Sequence, residues 1–112
     1  GALGDGAFWN ALRSFDMTIY RAPDFAEAYN MRATVQFFMG NHPAAVKDIE
    51  RALELEPRHF GALSGLGLVY IQRNELNKAK KAFEDLIKIH PNSPNARQNL
   101  DLVNEKLHFN LI

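Results

Sequence analysis

The residues whose types and spacing could do chemistry are three glycines in an apolar run, four histidines, a short lysine cluster and some scattered carboxylates. Gly61, Gly65 and Gly67 lie within FGALSGLGLVY, residues 60–70. Closely spaced glycines can cradle a phosphate, because they let backbone N–H groups approach its oxygens. The phosphate loop G-x-x-x-x-G-K-[ST] also needs a lysine after its last glycine, whereas Leu68 follows Gly67. G-x-G-x-x-G does not occur, and no strand pattern precedes the run. Gly61 and Gly65 make G-x-x-x-G, a contact spacing of membrane helices, but in an apolar run far short of the roughly 20 residues that span a bilayer. His42, His59, His90 and His108 include no i, i+4 pair of the kind a helical zinc site uses, so no metal site is expected. The absence of cysteine excludes disulfides, thiolate ligands and cysteine nucleophiles. No Ser/His/Asp set or nucleophile elbow stands out, and no paired carboxylates do. The chain therefore reads as non-catalytic, with no cofactor and no small-molecule substrate. Asp48, Glu50, Glu54 and Glu56 read as exposed positions on a charged, wet helix face. Lys78, Lys80 and Lys81 could meet a phosphate backbone, but no aromatic residues are interleaved with them for base stacking, which argues against nucleic acid.

The totals agree with this bland chemistry. The 112 residues, 46% hydrophobic and 23% charged, suit one globular domain over residues 1–112. Thirteen basic residues balance thirteen acidic ones, so nothing pulls the whole chain toward nucleic acid or an anionic membrane. Residues 1–56 carry five Lys/Arg against eight Asp/Glu, and residues 57–112 carry eight against five. No run is long enough to span a membrane. The chain opens GALGDG without a methionine, and it reads as a fragment or a processed product.

What must position any site is a repeat. Pro23, Pro57 and Pro91 are spaced by 34 and again by 34. In the same register fall Ala11, Ala45 and Ala79; Phe15, Ile49 and Phe83; Ala28, Ala62 and Ala96; and Val35, Val69 and Val103. Each unit holds two helical patterns. Leu63, Leu66, Val69 and Tyr70 follow helix spacing up to a break at Asn74, and Ala79, Phe83, Leu86 and Ile87 then mark one helical face. The unit from Phe25 behaves alike, with its break at Gly40-Asn41 and Pro43 opening the second helix. The proline closing each unit stops that helix.

A helix pair of 34 residues with small, large-apolar and proline positions in this order resembles the tetratricopeptide repeat. The best-matched unit shows the family's L-G-x-x-Y step as Leu66-Gly67-Leu68-Val69-Tyr70, followed by Ala79, Phe83 and Pro91. In the preceding unit Arg32-Ala33 replaces the Leu-Gly step, and Gln36 stands where tyrosine is usual. EPRHFGALSGLGLVY is also similar to the wording of small alphaproteobacterial proteins of this family, which implies bacterial or organellar ancestry and leaves the compartment open. The resemblance implies an all-α, right-handed solenoid of antiparallel helix pairs. Its expected parts are a second helix alone over residues 7–22, repeats over 26–59 and 60–93, a capping helix over 94–108 and a tail over 109–112. It also implies that Gly67, like Ala33 before it, is small because the second helix crosses closest there.

In this family the concave surface is built from first helices and usually binds an extended peptide or a helix. Here that surface is expected to present Asn30, Thr34, Phe37, Phe38, Gly61, Ser64, Leu68, Ile71, Gln98 and Asn99, with a protein partner as the ligand. Family members that grip acidic chaperone tails use a Lys/Arg/Asn clamp at these positions. Asn30 and Thr34 stand at the first pair, and Ser64, Gly65 and Asn99 supply no cation, so chaperone-tail binding is disfavoured. Two functions compete: a peptide-binding scaffold module, and a permanently built-in subunit of a larger assembly. Exposed Trp9 and the apolar tail Phe109-Asn110-Leu111-Ile112 favour the second.

Overall fold

The 34-residue period is written into the backbone as two left-handed residues. Gly40 and Asn74, one period apart, have φ of +82° and +58°. Each terminates a helix in the same way. The N–H of Gly40 bonds Phe37 O at 3.0 Å and that of Asn41 bonds Gln36 O at 2.8 Å; the N–H of Asn74 bonds Ile71 O at 3.0 Å and that of Glu75 bonds Tyr70 O at 2.8 Å. This paired pattern satisfies the last carbonyls of a helix and needs a left-handed residue, which glycine and asparagine tolerate best.

The structure, a computed structural model, describes the backbone of residues 2–111 and the side chains of residues 6–93 and 95–110. Six helices are described: α1 (Ala2–Arg21), α2 (Ala26–Phe38), α3 (His42–Leu55), α4 (Phe60–Gln72), α5 (Leu76–Ile89) and α6 (Pro94–Leu111). No strand occurs among the described residues, so the all-α expectation holds. Helices α3 and α5 stop before Pro57 and Pro91. Their first-turn and neighbouring donors are met locally: Asn41 Oδ1 accepts from Ala44 N at 3.4 Å to cap α3, and His59 Nδ1 accepts from Ala62 N at 3.0 Å to cap α4. Helix α6 continues past residue 108, so Phe109 and Asn110 are helical; Ile112 and the Leu111 side chain lie outside the described residues.

The helices form two compact units, Gly1–Pro57 and Arg58–Ile112. In the first, α2 packs against both α1 and α3; in the second, α5 packs against both α4 and α6. The repeated residues are the core. Ala28, Ala62 and Ala96 are all buried, as are Ala45 with Ala79 and Ile49 with Phe83. Small residues dominate the first unit's core and let its helix axes approach closely.

Gly67 carries the tightest of these contacts. A Cβ added there would lie 2.6 Å from Cε2 and 2.8 Å from Cε1 of Phe83. Phe83 is fully buried, so its ring has no solvent to retreat into. One period earlier the same two positions hold Ala33 and Ile49, both buried, a larger residue in place of glycine and a smaller one in place of phenylalanine.

Asp48 corrects the reading of the acidic residues as a wet face. It is only 5% exposed. Arg32 Nε donates to Asp48 Oδ2 and Arg32 Nη2 to Asp48 Oδ1, both at 2.7 Å, while Arg32 Nη1 reaches Asp16 Oδ1 at 3.0 Å. The fork joins all three helices of the first unit. Hydrogen bonding to Asp48 holds the Arg32 guanidinium above its ordinary pKa; burial opposes this and the bond to Asp16 supports it. The counterparts one period on are Leu66 and Ala82. The departure at Arg32 is therefore matched by an opposite charge where the next repeat has alanine.

Two outcomes are expected in urea unfolding. Gly67→Ala should lose about 1–2 kcal/mol even though alanine is the better helix former, because the added methyl overpacks Phe83; a gain in stability would mean that the ring moves aside freely. Asp48→Ala should lose about 1–3 kcal/mol, less than a fully buried pair because Arg32 is partly exposed. The double change Arg32→Leu, Asp48→Ala, which copies Leu66 and Ala82, should recover most of that loss. A double variant as weak as the single one would contradict the pairing.

Candidate functional site

The candidate site is the set of first-helix faces turned away from the second helices. On α2, Ala26, Ala28, Tyr29 and Ala33 are buried, and the opposite stripe of Glu27, Asn30, Met31, Thr34 and Phe38 is exposed or half-buried. Phe38 is 66% exposed. Local bonds fix part of this stripe: Thr34 Oγ1 donates to Asn30 O at 3.1 Å, and Asn30 Nδ2 points at Glu27 Oε1 from 3.5 Å. Phe37 is half-buried. Its ring stands edge-on to Phe38 at 5.5 Å and stacks on His42 at 5.6 Å. It is thus engaged in the α2–α3 turn and less free than its neighbour.

The second unit repeats the stripe. On α4, Ala62, Leu63, Gly67 and Val69 are buried, whereas Gly61, Ser64 and Ile71 are half-buried and Leu68 is 40% exposed. On α6, Ala96 and Val103 are buried, Gln98 is exposed and Asn99 is half-buried. None of the ten expected residues lies in the core. Four sit on α2, four on α4 and two on α6.

Sequence reasoning missed Met31 as part of the α2 stripe, although it is exposed. Leu102, one period after Leu68 and two after Thr34, is exposed on α6 as that register leads one to expect. The faces carry little charge. Cations are absent at 30, 34, 64, 68, 98 and 102, and Lys106 is the exposed cation of this stripe on α6.

The other candidates have structural partners. His42 stacks on Phe37, His59 caps α4, and His90 packs on Phe60 with its Nε2 3.2 Å from Arg58 O. No group of three or more His, Asp or Glu that could hold a metal is found among the described residues. Lys81 pairs with Asp85 at 3.2 Å, and Lys78 lies 3.7 Å from Glu75 and 5.7 Å from the centre of the Tyr70 ring. The fold thus brings one aromatic ring to the lysine cluster, which the linear sequence does not. A hollow of about 310 Å³ lies there, floored by Leu66 and Ala82. A second, of about 360 Å³, is lined by Trp9, Leu12, Arg13, Asp16, Arg32 and Gln36. No described helix is long and apolar enough to cross a membrane.

Comparison with known proteins bears on these faces. A family model described as tetratricopeptide repeat matches residues 39–100. A TPR repeat-containing protein of Rhizobium etli is 40% identical over 100 residues, covering 89% of this chain and 49% of the relative, so this chain spans about half the length of that curated relative. Among solved structures, MamA superposes with a TM-score of 0.83 over 92% of this chain and 56% of that one, at 30% identity. The first TPR domain of Spaghetti (RPAP3), bound to the HSP90 peptide SRMEEVD, superposes with a TM-score of 0.88 over 93% of this chain and 82% of that one. At 22% identity, that likeness speaks for the fold alone.

Proposed function

This chain belongs to the tetratricopeptide-repeat family, and on that premise we propose that it is a non-catalytic interaction module that binds a peptide or helix of a protein partner on its first-helix faces. The observation that carries this reading is the recurrence of uncharged side chains, exposed or half-buried, at the same register positions. Asn30, Ser64 and Gln98 share one position, and Thr34, Leu68 and Leu102 share the next. Amides and hydroxyls suit the backbone of an extended segment, which offers donors and acceptors at regular intervals. Phe38, Leu68 and Ile71 supply apolar contact, and a side chain of this size contributes roughly 1.5–3 kcal/mol when a partner removes it from water. Gly61 and Ser64 leave room beside Leu68 for a partner's backbone.

The chemistry of the faces also selects the ligand. The RPAP3 domain binds SRMEEVD, a peptide with three carboxylate side chains. The faces proposed here offer Asn30, Thr34, Ser64, Leu68 and Asn99 instead of a cationic clamp. The ligand we propose is therefore an uncharged segment anchored by apolar side chains. The alternative, a subunit permanently built into a larger assembly, draws support from Trp9 at 59% and Tyr20 at 84% exposure, large rings that a lone monomer rarely leaves in water together.

Selection of a displayed random-peptide library on the 112-residue chain tests the reading. Enriched peptides should be apolar and low in charge, and Leu68→Glu should weaken them at least about tenfold, or about 1.4 kcal/mol, with helicity unchanged. Lys80→Glu, on a second helix, should leave them bound. If no peptide is enriched, or Lys80→Glu abolishes binding and Leu68→Glu does not, the first-helix faces are not the site.

A further inference from the structure

The hollow between α4 and α5 has an apolar floor and a cationic rim, and both of its walls are described helices of the second unit. Leu66 and Tyr70 come from α4, and Lys78, Lys81, Ala82 and Asp85 from α5. Leu66 and Tyr70 are half-buried and Ala82 is buried, so the packing of the helix pair fixes the floor. The first unit treats the two floor positions differently. Arg32 and Asp48 stand there in place of Leu66 and Ala82, and two bonds of 2.7 Å join them. Leucine and alanine cannot make that bridge, since neither side chain has a polar group. Where the first unit places its own guanidinium, the second has a space of about 310 Å³. The cations on its rim are only loosely held. Lys81 meets Asp85 at 3.2 Å, and Lys78 lies 3.7 Å from Glu75, which also faces Arg73 at 3.4 Å. The Lys78 and Lys81 side chains stay 64% and 78% exposed, and ion pairs so open to water are weak. An incoming carboxylate can therefore exchange with Glu75 or Asp85. Lys78 Nζ also stands 5.7 Å from the centre of the Tyr70 ring, so cation and ring border the same space.

We propose that this hollow takes one large apolar side chain from a protein partner, presented by an extended acidic segment whose carboxylates pair with Lys78 and Lys81. The apolar side chain follows from the floor of Leu66 and Ala82 and the wall of Tyr70, which an apolar group removes from water. The carboxylates follow from the two ammonium groups on the rim, and α5 as a whole carries four lysines against Glu84 and Asp85. The extended form follows from size. A volume of about 310 Å³ is a space roughly 7 Å across, whereas a helix with its side chains is about 10–12 Å wide. This site is separate from the first-helix faces. Leu68 stands two residues from both Leu66 and Tyr70, about 200° around α4, and so points away from the hollow. The ligand chemistry differs too, acidic here and uncharged there.

The probe is a synthetic peptide with one phenylalanine between two Asp-Glu pairs, titrated into the nitrogen-15-labelled 112-residue chain and followed by its amide shifts in NMR spectra. Saturable shifts are expected at residues 78–85 and none on α2. Replacing the phenylalanine by serine, or the carboxylates by amides, should weaken binding at least about tenfold. Leu66→Arg with Ala82→Asp, which copies Arg32 and Asp48, should fill the hollow and abolish binding. Lys78→Glu with Lys81→Glu, at two exposed positions, should abolish it with the thermal melt intact, and a peptide with lysines in place of its acidic residues should then bind that variant. Leu68→Glu should leave binding unchanged. The absence of saturable shifts would overturn the proposal. So would loss of binding on Leu68→Glu with both double variants still binding, which would place the peptide on the first-helix faces. A uridine decamer that displaces the peptide and binds more tightly would assign the lysines to nucleic acid and overturn it as well.

Discussion

The close approach of Gly67 to the Phe83 ring is the constraint on which the second unit depends. A first and a second helix can bury a continuous apolar stripe only if their axes come near, and a bulky side chain at the crossing would hold them apart. Placing glycine on one side and a fully buried phenylalanine on the other lets the ring fill the gap the glycine leaves. The first unit has Ala33 and Ile49, both buried, at the same two positions. Both solutions keep the summed volume roughly constant, which is how cores tolerate substitution without losing their packing. The alanines at 45, 62, 79 and 96, all buried, extend the same logic along each helix.

Next to this crossing the two units differ in kind. The second has Leu66 beside Ala82. The first has Arg32 forked onto Asp48, with Asp16 of α1 taking the remaining donor. A buried ion pair of this sort is weak evidence for stability, since desolvation offsets much of the attraction. Its consequence is directional: a planar guanidinium with three fixed bonds sets how α1, α2 and α3 meet, where an apolar contact would tolerate sliding.

Much of this was legible in the sequence, for a physical reason. A proline past the first turn of a helix ends it, left-handed turns demand glycine or asparagine, and close crossings demand small residues, so Pro57, Gly40 and Gly67 announce their roles by type and spacing. Asp48 did not. An aspartate on a helix is ordinarily solvated, and its burial follows only from Arg32, sixteen residues earlier and one helix away. For Phe37 the place on the first-helix face is legible, whereas the stack on His42 depends on how the turn at Gly40 folds back. For the first-helix faces, periodicity told which residues share a position, and the structure added how far each stands out of the core.

The central claim is that one small-over-large crossing per repeat holds each helix pair together, and a double-mutant cycle between its two sides tests it most directly. Unfolding free energies in urea would be measured for Gly67→Ala, Phe83→Ile and the double variant, which copies the pairing of Ala33 with Ile49. The account predicts that the double variant is more stable than the sum of the two losses allows, with a favourable coupling of about 1 kcal/mol or more. Additive losses would mean that the two residues do not share the space assigned to them, and would contradict the account.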